Sequence, residues 1–165
     1  MREIKIEKVV LNIGGTGEKL DKGHLLLEKL SGRKAVRVKS NKRIPTWNVR
    51  PGLEVGTKVT LRGKPAEEIL GRILPAIENT IKEKQIQENF LAFGIKEYIE
   101  IPGIEYMREV GIIGFELCVV FVRAGKRVER KKVKSGKATK QKISAEEIIK
   151  FMEDKYKTNI LRKRK

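Results

Sequence analysis

Val55-Gly56-Thr57-Lys58-Val59-Thr60-Leu61-Arg62 is the stretch on which the fold turns. Val55, Thr57, Val59 and Leu61 share one parity; Lys58, Thr60 and Arg62 share the other. Successive side chains of a β-strand point to opposite faces, so this pattern predicts a strand with one face in a core and one in solvent. Gly63 ends it. Upstream, Lys34–Ser40 repeats the pattern, with Val36 and Val38 on one side and Arg37 and Lys39 on the other. Lys5–Ile13 is a third strand, with Val9, Leu11 and Ile13 inward and Lys8, Val10 and Asn12 outward.

Helices are expected between and after these strands. The first runs from about Asp21, a possible N-cap, to Ser31, with Gly32 as its stop and Leu26, Leu27 and Leu30 toward the core. Pro65 suits the first turn of a second helix, in which Ile69, Leu70, Ile73, Leu74, Ile77 and Ile81 recur at helical spacing. Pro75 is expected to kink or break it. Two more strands are read at Phe93–Ile101 and Phe115–Arg123, with an irregular stretch between them. Ser144 and Glu147 have the spacing of a capping box opening a last helix, with Ile148, Ile149, Met152 and Tyr156 as its buried stripe. The fold class is α+β: a mostly antiparallel sheet with helices packed on one face, the other face basic.

The 165 residues carry 38 Lys and Arg against 21 Asp and Glu, a formal net charge of +17. The length fits a single domain over 1–165, with a mobile basic segment at 125–142 and a basic C-terminal tail at 157–165. Such a charge points to a polyanionic partner, nucleic acid before an acidic membrane surface. No apolar stretch approaches the roughly 20 residues that span a bilayer, and residues 1–10 do not read as a secretory signal. A lone cysteine, Cys118, forms neither an internal disulfide nor a zinc cage, which favours a reducing, cytoplasmic setting.

Enzyme chemistry finds no support. The glycine turn Gly14–Gly17 lies between a strand and a helix, but Glu18 and Lys19 follow it in place of the Gly-Lys-Ser/Thr ending of a phosphate loop. His24 is the only histidine, with no partner in the sequence for sharing a metal; a surface or capping role is expected. Cys118 sits in a Val- and Phe-rich strand and reads as buried packing. Glu67 and Glu68 open a helix, where they favour the macrodipole. No catalytic residue, metal or cofactor is assigned.

Binding residues are more specific. If the first three strands are neighbours, Asn12, Arg37, Lys39, Lys58, Thr60 and Arg62 form a cationic, hydrogen-bonding platform. Lys and Arg neutralise phosphates, while Asn and Thr bond ribose hydroxyls or base edges. The loop Asn41–Gly52 holds the only tryptophan, Trp47, among Lys42, Arg43 and Arg50. Two placements are open: exposed for stacking on a nucleotide, or folded back against the core. Lys126, Arg127, Arg130, Lys131, Lys132, Lys134, Lys137, Lys140 and Lys142 crowd a segment with one acid, Glu129.

Three blocks carry a family resemblance. They are Val9-Val10-Leu11-Asn12-Ile13-Gly14; Val49-Arg50-Pro51-Gly52 running into Val55–Gly63; and Phe93-Gly94-Ile95-Lys96-Glu97 followed by Ile101-Pro102-Gly103-Ile104-Glu105-Tyr106. In this order, over residues 5–156, the chain resembles the universal large-subunit ribosomal protein L-five family, in its archaeal form. The resemblance implies a structural protein of the large ribosomal subunit that binds 5S rRNA and 23S rRNA in the central protuberance. It places 5S rRNA on positions matching Asn12, Arg33, Lys58, Thr60 and Arg62; Arg33 comes from the resemblance alone. It directs the loop toward peptidyl-site tRNA, with Lys42, Arg43, Thr46, Trp47, Asn48 and Arg50 as its contacts. Trp47 stands where many relatives carry phenylalanine. Further rRNA contacts fall on Lys126, Arg127, Arg130, Lys131, Lys132, Lys134 and Lys137. Neighbouring ribosomal proteins, including a small-subunit bridge partner, are implied without assignment to residues. Competing readings are a free-standing RNA chaperone, a small nucleotide-dependent enzyme using Gly14–Gly17, and a membrane-surface protein. The last lacks an apolar helical face in its basic segment.

Overall fold

The structure, a computed structural model, describes residues 3–137 and 141–161. Eight strands and four helices appear among them: β1 (Ile4–Gly14), α1 (Glu18–Ser31), β2 (Val36–Lys39), β3 (Glu54–Leu61), α2 (Lys64–Ile73), β4 (Thr80–Lys82), β5 (Ile86–Gln87), β6 (Phe90–Ile95), β7 (Phe115–Arg123), α3 (Arg127–Arg130), α4 (Ala145–Tyr156) and β8 (Asn159–Leu161). Six strands form one mostly antiparallel sheet in the order β2-β3-β1-β7-β6-β5, and β4 pairs with β8 in parallel. The class is α+β. The chain divides into two compact units, one from residues within 1–9, 62–93 and 118–165, the other from 10–61 and 94–117.

In the second unit the alternation of the strands sets the core. Leu11 and Ile13 of β1, Thr57, Val59 and Leu61 of β3, and Phe115 and Leu117 of β7 are buried. Leu20, Leu26, Leu27 and Leu30 of α1 are buried too, as the helical spacing requires. α1 lies so close to β1 that a Cβ on Gly23 would come within 2.9 Å of the Ile13 side chain. The helix opens at Glu18, a turn earlier than Asp21; Gly17 precedes it without a side-chain cap. Asp21 therefore stands inside the first turn, where its charge still suits the helix dipole. Gly32 ends the helix in the left-handed conformation, φ 62°, with its N–H donated to Glu28 O at 2.8 Å.

Other elements depart further from expectation. α2 stops at Ile73, and Pro75 sits in a 3-10 turn at Leu74–Ile77. Pro75 has no N–H to continue the ladder, so the apolar spacing outlasts the helix. Ile81, counted with the helix, is instead a buried residue of β4. The expected strand Phe93–Ile101 is β6, Phe90–Ile95, followed by a 3-10 turn at Tyr98–Glu100. Tyr98 there is fully buried, and its hydroxyl accepts the Met107 N–H at 2.9 Å. The strands β4, β5 and β8 are two or three residues long and carry no readable period.

At α4 both halves of the capping box form: Ser144 N–H donates to Glu147 Oε2 at 3.1 Å, and Glu147 N–H to Ser144 Oγ at 3.4 Å. Ile148, Ile149 and Met152 are buried and Tyr156 is half-buried. The Ser144 N–H, then Arg123 at 2.6 Å, hold the Glu147 carboxyl below the usual carboxylate range. A lowered folded-state pKa means this support is present at neutral pH and is lost as pH falls through that lowered value.

Two glycines separate backbone from packing. A Cβ on Gly114 would stand 2.5 Å from the carbonyl oxygens of both Ile95 and Lys96, whereas one on Gly71, inside α2, meets open space. Gly114→Ala is expected to destabilise the fold by several kcal/mol, because backbone must move. Gly71→Ala is expected to stabilise it by about 0.5–1 kcal/mol through helix propensity. Urea denaturation of both variants checks the opposite signs.

Candidate nucleic-acid interface

In the second unit β3 divides its side chains sharply. Thr57 is fully buried and its Oγ1 lies 3.2 Å from His24 Nδ1 of α1. Next to it Lys58 is exposed and has no carboxylate partner among the described residues, and Thr60 is half-buried on the same side. On β1 Asn12 is half-buried, and its Nδ2 donates to Glu116 Oε2 at 3.4 Å. Side chains opposite the helix layer thus offer an unpaired ammonium, a hydroxyl and a carboxamide. These are the groups that bind phosphate, ribose hydroxyls and base edges. Arg33 is exposed in the α1–β2 connection, which is held by Ser31 Oγ to Leu27 O at 2.6 Å and by Ala35 N–H to Glu28 Oε1 at 3.0 Å. Arg62 is exposed just beyond β3 and belongs to the first unit. Lys8 has the parity of Asn12 on β1 and is half-buried; that parity was its only signal in the sequence.

β2 corrects the expected platform. Its antiparallel register sets Val36 opposite Lys58, Arg37 opposite Thr57 and Val38 opposite Gly56. Residues directly opposite one another share a face, so Arg37 lies with Thr57 on the side of α1, and Val36 and Val38 lie with Lys58. Val36 is 58% exposed on the open side. Arg37 Nη2 donates to Asp21 Oδ1 at 2.8 Å and Nη1 to Glu54 Oε2 at 3.0 Å. The Glu54 hydrogen bond, with Asp21 nearby, raises the guanidinium pKa further still. Lys39 is exposed and stands opposite Glu54, past a register shift that follows Val38. Alternation alone named the wrong face here because β2 is an edge strand whose outward valines have no core to enter.

The loop 41–52 is a closed hairpin tip. Ser40 N–H donates to Leu53 O and Gly52 N–H to Ser40 O, both at 2.8 Å, and Ile44 and Val49 form a further antiparallel bridge. A 3-10 turn at Pro45–Trp47 crosses the end, and Asn48 takes the left-handed conformation at φ 52°. Val49 is the one buried residue of this stretch. Trp47 is 73% exposed, which decides between its two placements. Lys42, Arg43, Thr46, Asn48 and Arg50 are exposed around it. An indole among cations is suited to stacking on a base.

The basic run starts after β7 with a turn at Gly125 and the short α3. Arg127, Lys131, Lys132, Lys134 and Lys137 are exposed and Lys126 is half-buried. The Arg130 side chain, Lys140 and the tail residues Arg162–Lys165 lie outside the described residues. The far end of the run is pinned: Ile143 is fully buried, its N–H donates to Asn89 Oδ1 at 3.0 Å, and Arg123 Nη1 donates to Lys142 O at 3.3 Å. Lys142 pairs with Glu88 at 3.4 Å. Cys118 is half-buried on the parity opposite Leu117 and Val119, outside their core row; burial pushes its thiol pKa up. His24 is a half-buried link to Thr57 rather than a surface group. Among the described residues no cluster of His, Cys, Asp or Glu is arranged to hold a metal ion, and no helix is long and apolar enough to cross a membrane.

Family comparison narrows the readings left open by this geometry. Residues 1–50 match the family model for ribosomal protein L5, and residues 54–155 match the model for the C-terminus of the same ribosomal family. The chain belongs to the ribosomal protein L5 family. This is a family of structural, non-enzymatic proteins. The chain is 46% identical to the large ribosomal subunit protein uL5 of Nanoarchaeum equitans, covering 98% of both chains. It is 39% identical to the uL5 protein of Sulfurisphaera tokodaii (98% of this chain, 94% of that one) and 40% identical to that of Archaeoglobus fulgidus (93% and 88%).

Because Trp47 projects into solvent, Trp47→Ala is expected to change unfolding free energy by no more than about 0.5 kcal/mol. Denaturation followed by far-UV circular dichroism checks this; a loss of several kcal/mol would place the indole in the core.

Proposed function

We propose that the protein is a structural constituent of the large ribosomal subunit in the cytoplasm. It binds 5S rRNA through the open side of its sheet and 23S rRNA through its basic run, and presents the hairpin tip to peptidyl-site tRNA. The observation that carries this reading is the unpaired Lys58 beside Thr60 and Asn12, on a side of the sheet that no helix of the second unit covers, in a chain of this family. The 5S rRNA contacts are Asn12, Arg33, Lys58 and Thr60, with Arg62 from the adjoining turn. Lys126, Arg127, Arg130, Lys131, Lys132, Lys134 and Lys137 supply rRNA phosphate contacts. Lys42, Arg43, Thr46, Trp47, Asn48 and Arg50 form the tRNA-facing tip. Neighbouring ribosomal proteins complete its setting.

The function is positioning. Phosphate contacts give affinity that falls steeply with salt, while short polar side chains on a rigid sheet fix the register on a folded RNA. Binding to 5S rRNA and to a length-matched folded RNA across a salt series tests this. A 5S preference that persists as salt rises is expected; equal affinities with one common slope would favour a general RNA chaperone. The double variant Lys58→Ala, Arg62→Ala is expected to keep the fold, lose about tenfold or more in 5S affinity, and flatten the salt slope by roughly two. Unchanged affinity at moderate salt would remove the sheet from the RNA contact.

A further inference from the structure

We infer that Arg37 is a positioning residue: it clamps the root of the 41–52 hairpin to α1 and so aims the Trp47 tip. This rests on the reading of that tip as a nucleic-acid contact, but the clamp itself is a property of the free protein.

The hairpin needs such a clamp because its root is weak. β2 has four residues, and its ladder with β3 shifts register after Val38. Val38 faces Gly56 and Lys39 faces Glu54, which leaves Val55 as an extra residue on β3. A bulge of this kind bends the strand and loosens the direction of whatever lies beyond it. Beyond it the tip is closed by its own backbone bonds, and only Val49 is buried. A two-stranded hairpin with so little burial is marginal by itself. The Val55 carbonyl accepts the Gly15 N–H at 3.1 Å, which anchors the bulge but not the strand past it.

Arg37 spans this weak point. It sits before the shift, opposite Thr57, and reaches along the ladder to Glu54, which lies past the extra residue. Its other nitrogen holds Asp21 in the first turn of α1. One planar guanidinium therefore joins helix, near root and far root, at 2.8 and 3.0 Å. Two donors in a fixed fork restrain direction as well as distance, which a lysine at this position would not do. The early start of α1 is what places Asp21 within reach.

The test is NMR relaxation of the backbone amides at Ile44, Thr46, Trp47 and Val49 in the free protein. Three variants are compared with the parent: Arg37→Met, which keeps the stem without the charge, Arg37→Lys, and Asp21→Ala, which removes the acceptor and so cuts only the tie to the helix. In Arg37→Met and Asp21→Ala the amplitude of fast motion at the tip is expected to rise about twofold or more, the step from ordered backbone to flexible loop. Amides of β3 from Thr57 to Leu61 are expected to stay rigid, and Arg37→Lys to fall between parent and Arg37→Met. General destabilisation would loosen β3 as well and would overturn the assignment. So would a tip unmoved in both Arg37→Met and Asp21→Ala. A steep loss of RNA affinity in Arg37→Met with an unmoved tip would make Arg37 an RNA ligand instead. Should Arg37→Met fail to fold, Asp21→Ala carries the decision alone. Failure of tRNA contact with a tight clamp would count against the tip's function and leave the clamp standing.

Discussion

The register between β2 and β3 is the constraint on which the interface depends. With Arg37 opposite Thr57, the side toward α1 receives a buried threonine and a guanidinium bound to two carboxylates. The far side receives Lys58, free of acid partners among the described residues. A one-residue slip of β2 would carry Arg37 to the far side and a slip of β3 would carry Lys58 to the near one, since side chains alternate with a period of two. Thr57 resists the slip, because it is fully buried against His24 and no lysine fits that position without a counter-charge.

From this follows a division of labour among the cations. The formal charge of +17 draws the protein to any polyanion, but charge alone does not choose one. Arg37 is spent on the protein itself, as are Arg123 with Glu147 and Lys155 with Glu67. Lys58, Arg33 and the exposed lysines of 131–137 remain for a partner. The open side of the second unit mixes one such cation with Thr60, Asn12 and the exposed Val36. Such a surface suits contact with sugars and bases as much as with phosphates.

Much of this was legible in the residues. The alternation of β1 and β3, the span of β7, the Gly32 stop, the Pro75 break and the Ser144–Glu147 box all read correctly, because each is a local rule with a local cause. The misreadings share a different cause. β2 alternates in sequence, yet which of its sides faces the helix is set by pairing, not by pattern. Ile81 kept helical spacing after Pro75 had ended the helix. β4, β5 and β8 are too short to show a period and exist through tertiary pairing. Trp47 was ambiguous since an indole serves a core edge and a stacking surface equally well. The candidate residues came partly from parity and partly from family likeness, and Arg33, outside any strand, had no local signal.

Hydrogen exchange of backbone amides, with and without 5S rRNA at moderate salt, tests the central claim most directly. The expected result is protection concentrated at Lys58–Thr60, Asn12 and Arg33, with the α4 amides unchanged. Protection confined to the basic run 126–137, with β3 and β1 unaffected, would contradict it.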